Sequence, residues 1–418
     1  MSFQQPSKSL TKRDYQFIAL AAGLFLILSA ALIFLNLRFE KGGGDFYVHW
    51  VAARAFSVDK IEPYSGDVAS RVQGLVYGTP ARAGDEPYIL DTPLHILLLY
   101  FPFALLSDPA LARAIFTLIL ELALAALVYL SLRLTDWESP RFFTILFILF
   151  GIFNFYSLQA IHEANPVLML GLIYVGIVIS YYAETDEMTG ALLAVSFYYW
   201  EVGAPFLILV ILRAYHEKRM RILAGFVMVN FILLFITYLI YPDWLIPFLR
   251  AGWNNLRIPF GFNTFAVFAD IWPAYGLLVS RIFVAGLLVM LGYEFALARS
   301  RDFRQFYWAL CLSIAAAPLL GLRTEMEHLS VLVIPLALVF AIVHERWKVY
   351  GSWLAVLLLG LVYALPWVIR FFATEHFLKI SNEIVFLFPP IFTIAGLYWI
   401  RWWAIRPPRV WSDLTNRK

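Results

Sequence analysis

Long apolar runs leave this chain few folds to choose from. They fall at 15–37, 109–133, 142–158, 165–182, 188–200, 203–214, 222–241, 275–297, 304–320, 329–343, 350–369 and 384–402. A helix crosses the hydrocarbon core of a bilayer with about 20 apolar residues, and in lipid its backbone N–H and C=O groups must pair among themselves. The spacing therefore predicts an all-α polytopic membrane protein with about twelve transmembrane helices, within a range of 10–13 because 188–200 and 203–214 are short. Charged residues make up only 15% of the chain, against about 25% in an ordinary soluble domain. The first run is longer than a signal-peptide core and has no small-residue cleavage site, so it reads as a retained span. The lone cysteine, Cys311, excludes an intrachain disulfide.

Basic residues orient the layout. With the N-terminus inside, 19 of the 32 Lys and Arg residues fall on the inner side, in short connections and the tail. That bias is the one cytoplasmic loops carry. Residues 1–418 then form a single integral membrane domain in the plasma membrane, with both termini cytoplasmic. A large external loop covers 38–108, a second covers 242–274, and 403–418 is a cytoplasmic tail. In the first loop, Phe46–Phe56 is expected to lie on the membrane as an interfacial helix. The run at 92–106 carries two prolines and reads as a second interfacial or re-entrant helix.

Ionisable groups at membrane depth are costly and mark functional sites. Here they gather on the predicted outer side: Asp45 in KGGGDFYVHW, His162, Glu163 and Asn165 in QAIHEANP, Glu201 in YYWEVGAP, Asn263 in GFNTF, and Arg323, Glu325, Glu327 and His328 in GLRTEMEHLS. One external site explains why five separate segments carry them. Each also has a plainer explanation. Asp45 suits a helix N-cap, the 162–165 segment a solvated turn, Glu201 a partner for a buried arginine, and 323–328 a salt-bridged loop. GGGD is not a nucleotide-binding fingerprint, and no nucleic-acid partner is expected. No Cys/His set or carboxylate pair stands at metal-ligand spacing in the sequence, so neither metal nor cofactor is expected.

The order of these motifs resembles the GT-C superfamily of membrane glycosyltransferases, and within it glycosyltransferase family 87, whose members use polyprenol-phosphate-mannose. The resemblance rests on a first span followed by GGDFYVHWVAARA, then EPYSG, then TPLHILLLYFPFALL. Asn165 before a leucine-rich helix, Asn263-Thr264-Phe265 and a histidine after the ninth span extend it. The chain departs from the family at two places. Asp91-Thr92-Pro93-Leu94 stands where a Tyr-Pro-Pro-Leu is common, and Glu201 with Pro205 stands where a Lys-Pro pair is common.

The resemblance implies a GT-C-like fold and an inverting hexosyltransferase. Its partners would be a polyprenyl-phosphate sugar donor, a lipid or glycan acceptor and membrane lipids, with Asp45 as general base. His49, one helical turn on, falls on the same face and is expected to orient or tune it. Arg323 and His328, with Arg54 and Arg257 as lesser candidates, are expected to meet the phosphate, and Glu163 and Glu201 the sugar hydroxyls. A lipid or glycan transporter, a binding or scaffold protein, and a polymerase or ligase using a pyrophosphate-linked donor remain as alternatives.

Overall fold

The computed structural model describes residues 12–38, 42–82, 85–135, 137, 140–257, 261–300, 302–347, 350–372 and 378–406. The described residues are 81% helix and include no strand. Most of the proposed tail, 407–418, lies outside them.

Eighteen α-helices follow in order: α1 (Lys12–Arg38), α2 (Gly44–Arg54), α3 (Gly66–Val76), α4 (Phe101–Ala104), α5 (Pro109–Arg133), α6 (Arg141–Phe153), α7 (Phe155–His162), α8 (Val167–Tyr182) and α9 (Asp186–Ser196), then α10 (Trp200–His216), α11 (Met220–Ile240), α12 (Leu245–Leu256), α13 (Thr264–Ile271), α14 (Gly276–Ala298), α15 (Phe303–Ala316), α16 (Val333–Arg346), α17 (Gly351–Phe372) and α18 (Leu378–Ala404). Their apolar faces meet in one core cluster that runs from Phe46 to Ala404. Local chemistry sets several boundaries. Asp108 caps α5 by accepting from the Ala110 N–H (2.9 Å), with Pro109 just inside the start. Asn154 stops α6 in an extended conformation and caps α7 by accepting from Ser157 N–H, which bends the pair by 46°.

Among the described residues, seven apolar helical segments are long enough to cross a bilayer, and eight if the bent α6–α7 pair counts as one, which does not confirm the expected count of about twelve. α8 has only 16 residues and α15 only 14. The runs at 188–200 and 203–214 fall together in one of the seven segments, Asp186–His216.

That segment is folded back on itself. A straight helix of 31 residues would separate its ends by about 45 Å. Yet Arg219, just past its end, donates through Nε to Asp186 at its start (2.9 Å). The chain turns at Phe197–Tyr199, and at Gly203 the backbone leaves helical geometry, two residues before Pro205. α9 and α10 are thus two separate arms of a hairpin, as the two short runs at 188–200 and 203–214 imply, rather than one continuous 31-residue helix.

α9 lies flush against α11. A Cβ at Gly190 would sit 2.3 Å from the Ile222 carbonyl oxygen and 2.7 Å from the Phe226 nitrogen. Gly190→Leu is therefore expected to separate the two helices and to cut the yield of monodisperse protein at least tenfold on size exclusion.

The helix ends sort to two faces of the bundle. One face gathers Trp137 on His344, Arg213 on the Ala298 carbonyl, and Arg401 on Glu294. The other gathers Arg113 on the Gly42 carbonyl, Trp367 on the Phe153 carbonyl, and Tyr156 on the Val385 carbonyl. This second face carries the 38–108 segment.

Two expectations for that segment are corrected or refined. The aromatics of α2 pack inside the protein rather than standing exposed. Phe46, Tyr47 and Trp50 are buried, and Phe46 packs against Tyr100, Phe103 and Phe116. Nine of its eleven residues are buried, because the helix has no continuous polar face to offer water. The 92–106 run forms a short 3₁₀ turn, Leu94–Leu99, followed by α4, and does not span.

Candidate active site

The glycines before Asp45 fix how α2 begins. Gly42 and Gly43 have φ of 95° and 85°, the left-handed region that other residues enter at a cost. The Gly43 N–H donates to the His162 carbonyl (2.8 Å), and Arg113 on α5 holds the Gly42 and Asn36 carbonyls. Asp45 is not the N-cap of α2. Gly43 occupies that position, and the free Gly44 N–H donates across to a carboxylate oxygen of Glu163 (3.2 Å). The negative charge that a helix N-terminus favours thus comes from a turn 119 residues away.

Asp45 is left to face the cavity. Its Oδ2 accepts from Asn165 Nδ2 (2.7 Å), while Asn165 Oδ1 caps α8 at the Val167 N–H. Oxygens of Asp45, Glu325 and Glu327 all lie within 4.8 Å of one another. Burial first, then the charges of Glu325, Glu86 and Glu163, push the Asp45 carboxyl well above the usual carboxylate range, against the pull of Asn165. Glu86 is pushed up to about 8 by burial and by Glu325, with Arg323 opposing. Asp91 and Glu201 belong to the same electrostatic neighbourhood. Tyr199, at the tip of the α9–α10 hairpin, faces Asp45, Asp91 and Glu201.

The remaining expected site residues divide. His49 Nδ1 donates to the Asp45 backbone carbonyl (2.8 Å), Thr92 Oγ1 donates to its Nε2 (3.2 Å), and its ring stacks on Tyr100. It therefore braces the turn and does not touch the carboxylate, and burial holds its pKa down. His162 stands 3.6 Å from Glu163 at the cavity's edge. Arg323 lies 3.8 Å from Glu325, and His328 accepts from the Glu325 N–H (3.3 Å).

Three residues are elsewhere. Arg54 donates to the Ala104 and Leu106 carbonyls and closes the end of α4. Arg257 is exposed and stacks on Trp253. Asn263 caps α13 and donates to the Gly321 carbonyl (2.5 Å), bracing the 323–328 turn from behind. All three meet carbonyls or rings supplied by the folded chain, which sequence spacing does not reveal. Conversely, Glu86, Asp91, Tyr100, Arg113 and Tyr199 were not foreseen. The signal available for the first two was a pair of acids flanking the apolar Tyr88-Ile89-Leu90.

Fold and site together define a helical protein with membrane-length apolar helices and a carboxylate cluster at one face of the bundle. No protein-family model, curated protein or solved structure matches the chain.

Proposed function

We propose that the protein is an inverting membrane glycosyltransferase of GT-C type, moving a hexose, mannose by the family resemblance, from a polyprenyl phosphate to a lipid or glycan acceptor. The observation that carries this reading is the meeting of Asp45, from the exit of the first apolar run, with Asn165 and the 325–327 turn in one cluster. In this reading Asp45 takes the proton from the acceptor hydroxyl as that oxygen bonds to the sugar's anomeric carbon. The bond from that carbon to the phosphate oxygen breaks, and its electron pair leaves with the polyprenyl phosphate. Attack opposite the leaving group inverts the centre.

Arg323 is the cation closest to the carboxylates and the candidate for the leaving phosphate, while His328 is engaged with its own turn. Glu86, Glu163 and Glu201 offer acceptors for sugar hydroxyls. Such a donor keeps its tail in lipid and its phosphate at headgroup depth, which suits a site at one face of the bundle. In this reading that face lies on the non-cytoplasmic side of the plasma membrane and both termini in the cytoplasm, an orientation that the charge bias of the connections supports.

Purified protein supplied with labelled polyprenyl-phosphate mannose and a membrane lipid extract is expected to move label to a new product. Label that stays on the donor, or that crosses sealed vesicles without a product, overturns the reading. In the same assay Asn165→Asp is expected to cost about 100-fold, since a hydrogen bond to a charged group contributes about 1.5–3 kcal/mol and the new carboxylate adds repulsion. The variant keeps the oxygen that caps α8, so its melting temperature checks that the loss is not unfolding.

A further inference from the structure

We propose that Asp45, Glu325 and Glu327 together bind one divalent cation. Their oxygens come within 4.8 Å of one another. Ligands on opposite sides of a calcium ion, at about 2.3–2.6 Å each, stand about 4.6–5.2 Å apart, and manganese or magnesium needs only a slight contraction. Three carboxylate oxygens make a hard ligand set, of the kind that selects calcium, magnesium or manganese over softer metals. Two of the three donors come from rigid surroundings. Asp45 is held by Asn165 and by the clamped start of α2, while Glu327 opens the buried 3₁₀ turn Glu327–Leu332 and is itself only 7% exposed.

A second observation points to the same place. Tyr100 is fully enclosed, yet its hydroxyl has no hydrogen-bond partner among the described residues, and it lies within electrostatic reach of Asp45 and Tyr199. The Tyr199 hydroxyl is likewise buried, without a partner, and faces Asp45. An unmet buried hydroxyl costs about 1–3 kcal/mol. Waters bound to an ion between the carboxylates would meet both.

Charge gives the third reason. Asp45, Glu86, Asp91, Glu163, Glu201, Glu325 and Glu327 share one electrostatic neighbourhood, opposed by Arg323, with His328 3.7 Å from Glu325 and His162 3.6 Å from Glu163. His49 and His328 already use ring nitrogens on the Asp45 carbonyl, Thr92 and the Glu325 N–H. A cavity this acidic repels a phosphate, and a divalent ion reverses the local sign. That last use, a positive charge beside the leaving phosphate, rests on the transferase reading. Ion binding itself does not.

The test needs no sugar. The purified full-length chain is stripped with EDTA and titrated with Mn²⁺, with free ion read by electron paramagnetic resonance. One saturable ion per chain, displaced by Ca²⁺, is expected. Glu325→Gln and Glu327→Gln should each weaken it at least tenfold. Glu383→Gln should leave it unchanged, because Glu383 belongs to a separate group with Asp270 and Lys379. Absent saturable binding, or equal binding in the Glu325 and Glu327 variants, overturns the site. If neither variant purifies, the parent's melting temperature decides: Mn²⁺ should raise it, and no change overturns the proposal. Because turnover is not measured, a failed transfer assay leaves this result standing, and the reverse also holds.

Discussion

Asp45→Asn is expected to lower sugar transfer about 1,000-fold while leaving the protein folded. General-base catalysis contributes about 10²–10⁴-fold, and an amide cannot take the proton. The capping role that confuses such a test is filled by other groups, and because Asp45 is also a proposed cation ligand the comparison with the parent is made in EDTA-stripped protein. The first free N–H of α2 is met by Glu163, and Gly43, not Asp45, is the cap. The amide oxygen that replaces Oδ2 can still accept from Asn165. Removing one charge from a cavity of seven carboxylates relieves repulsion, so the melting temperature should hold or rise. Transfer is measured with labelled polyprenyl-phosphate mannose, and folding by size exclusion and thermal melting. A purified variant working at the parent rate removes Asp45 from the chemistry.

Gly43→Val is expected to produce the largest loss of stability. At φ 85° a side chain meets the following carbonyl, which costs about 1–2 kcal/mol for an ordinary residue and more for a β-branched one. The new Cβ also falls 2.4 Å from Cδ of Arg113. Arg113 must then move away from the Gly42 and Asn36 carbonyls it holds. Together these amount to roughly 3 kcal/mol or more, with α2 and Asp45 displaced and transfer lost. Gly43→Asn tolerates the left-handed backbone better and should recover part of the melting temperature. Equal melting of the Val variant and the parent would show that the glycine is not required there.

Much of the architecture was legible because lipid imposes it. Apolar runs of the right length marked the helices, and the start and end of α5 were read to the residue, 109–133. Asp45, Glu163, Asn165, Glu201, Arg323, Glu327 and His328 were grouped from charge placement alone, and they do share one face of the bundle. What escaped depended on tertiary partners. Nothing local shows that Arg54 will close α4 or that Asn263 will brace Gly321. The sequence reading found no carboxylate pair at ligand spacing. Asp45 and Glu325 stand 280 positions apart in the sequence, so only the folded chain brings their oxygens together. The hairpin at 186–216 was legible as two short runs, but run length does not reveal that its tip brings Tyr199 and Glu201 to the carboxylate cluster.

That anchoring makes the hairpin a ruler. Its feet are pinned by Arg219 on Asp186 and by Arg213 and Tyr181 on Glu217, and its tip carries Tyr199 and Glu201 to the cavity. Each residue added to or taken from an arm moves the tip by about 1.5 Å and turns it by about 100°. The number of residues between Asp186 and Arg219 is therefore a quantity the protein must keep, even where the arms face lipid and their side chains are free to vary.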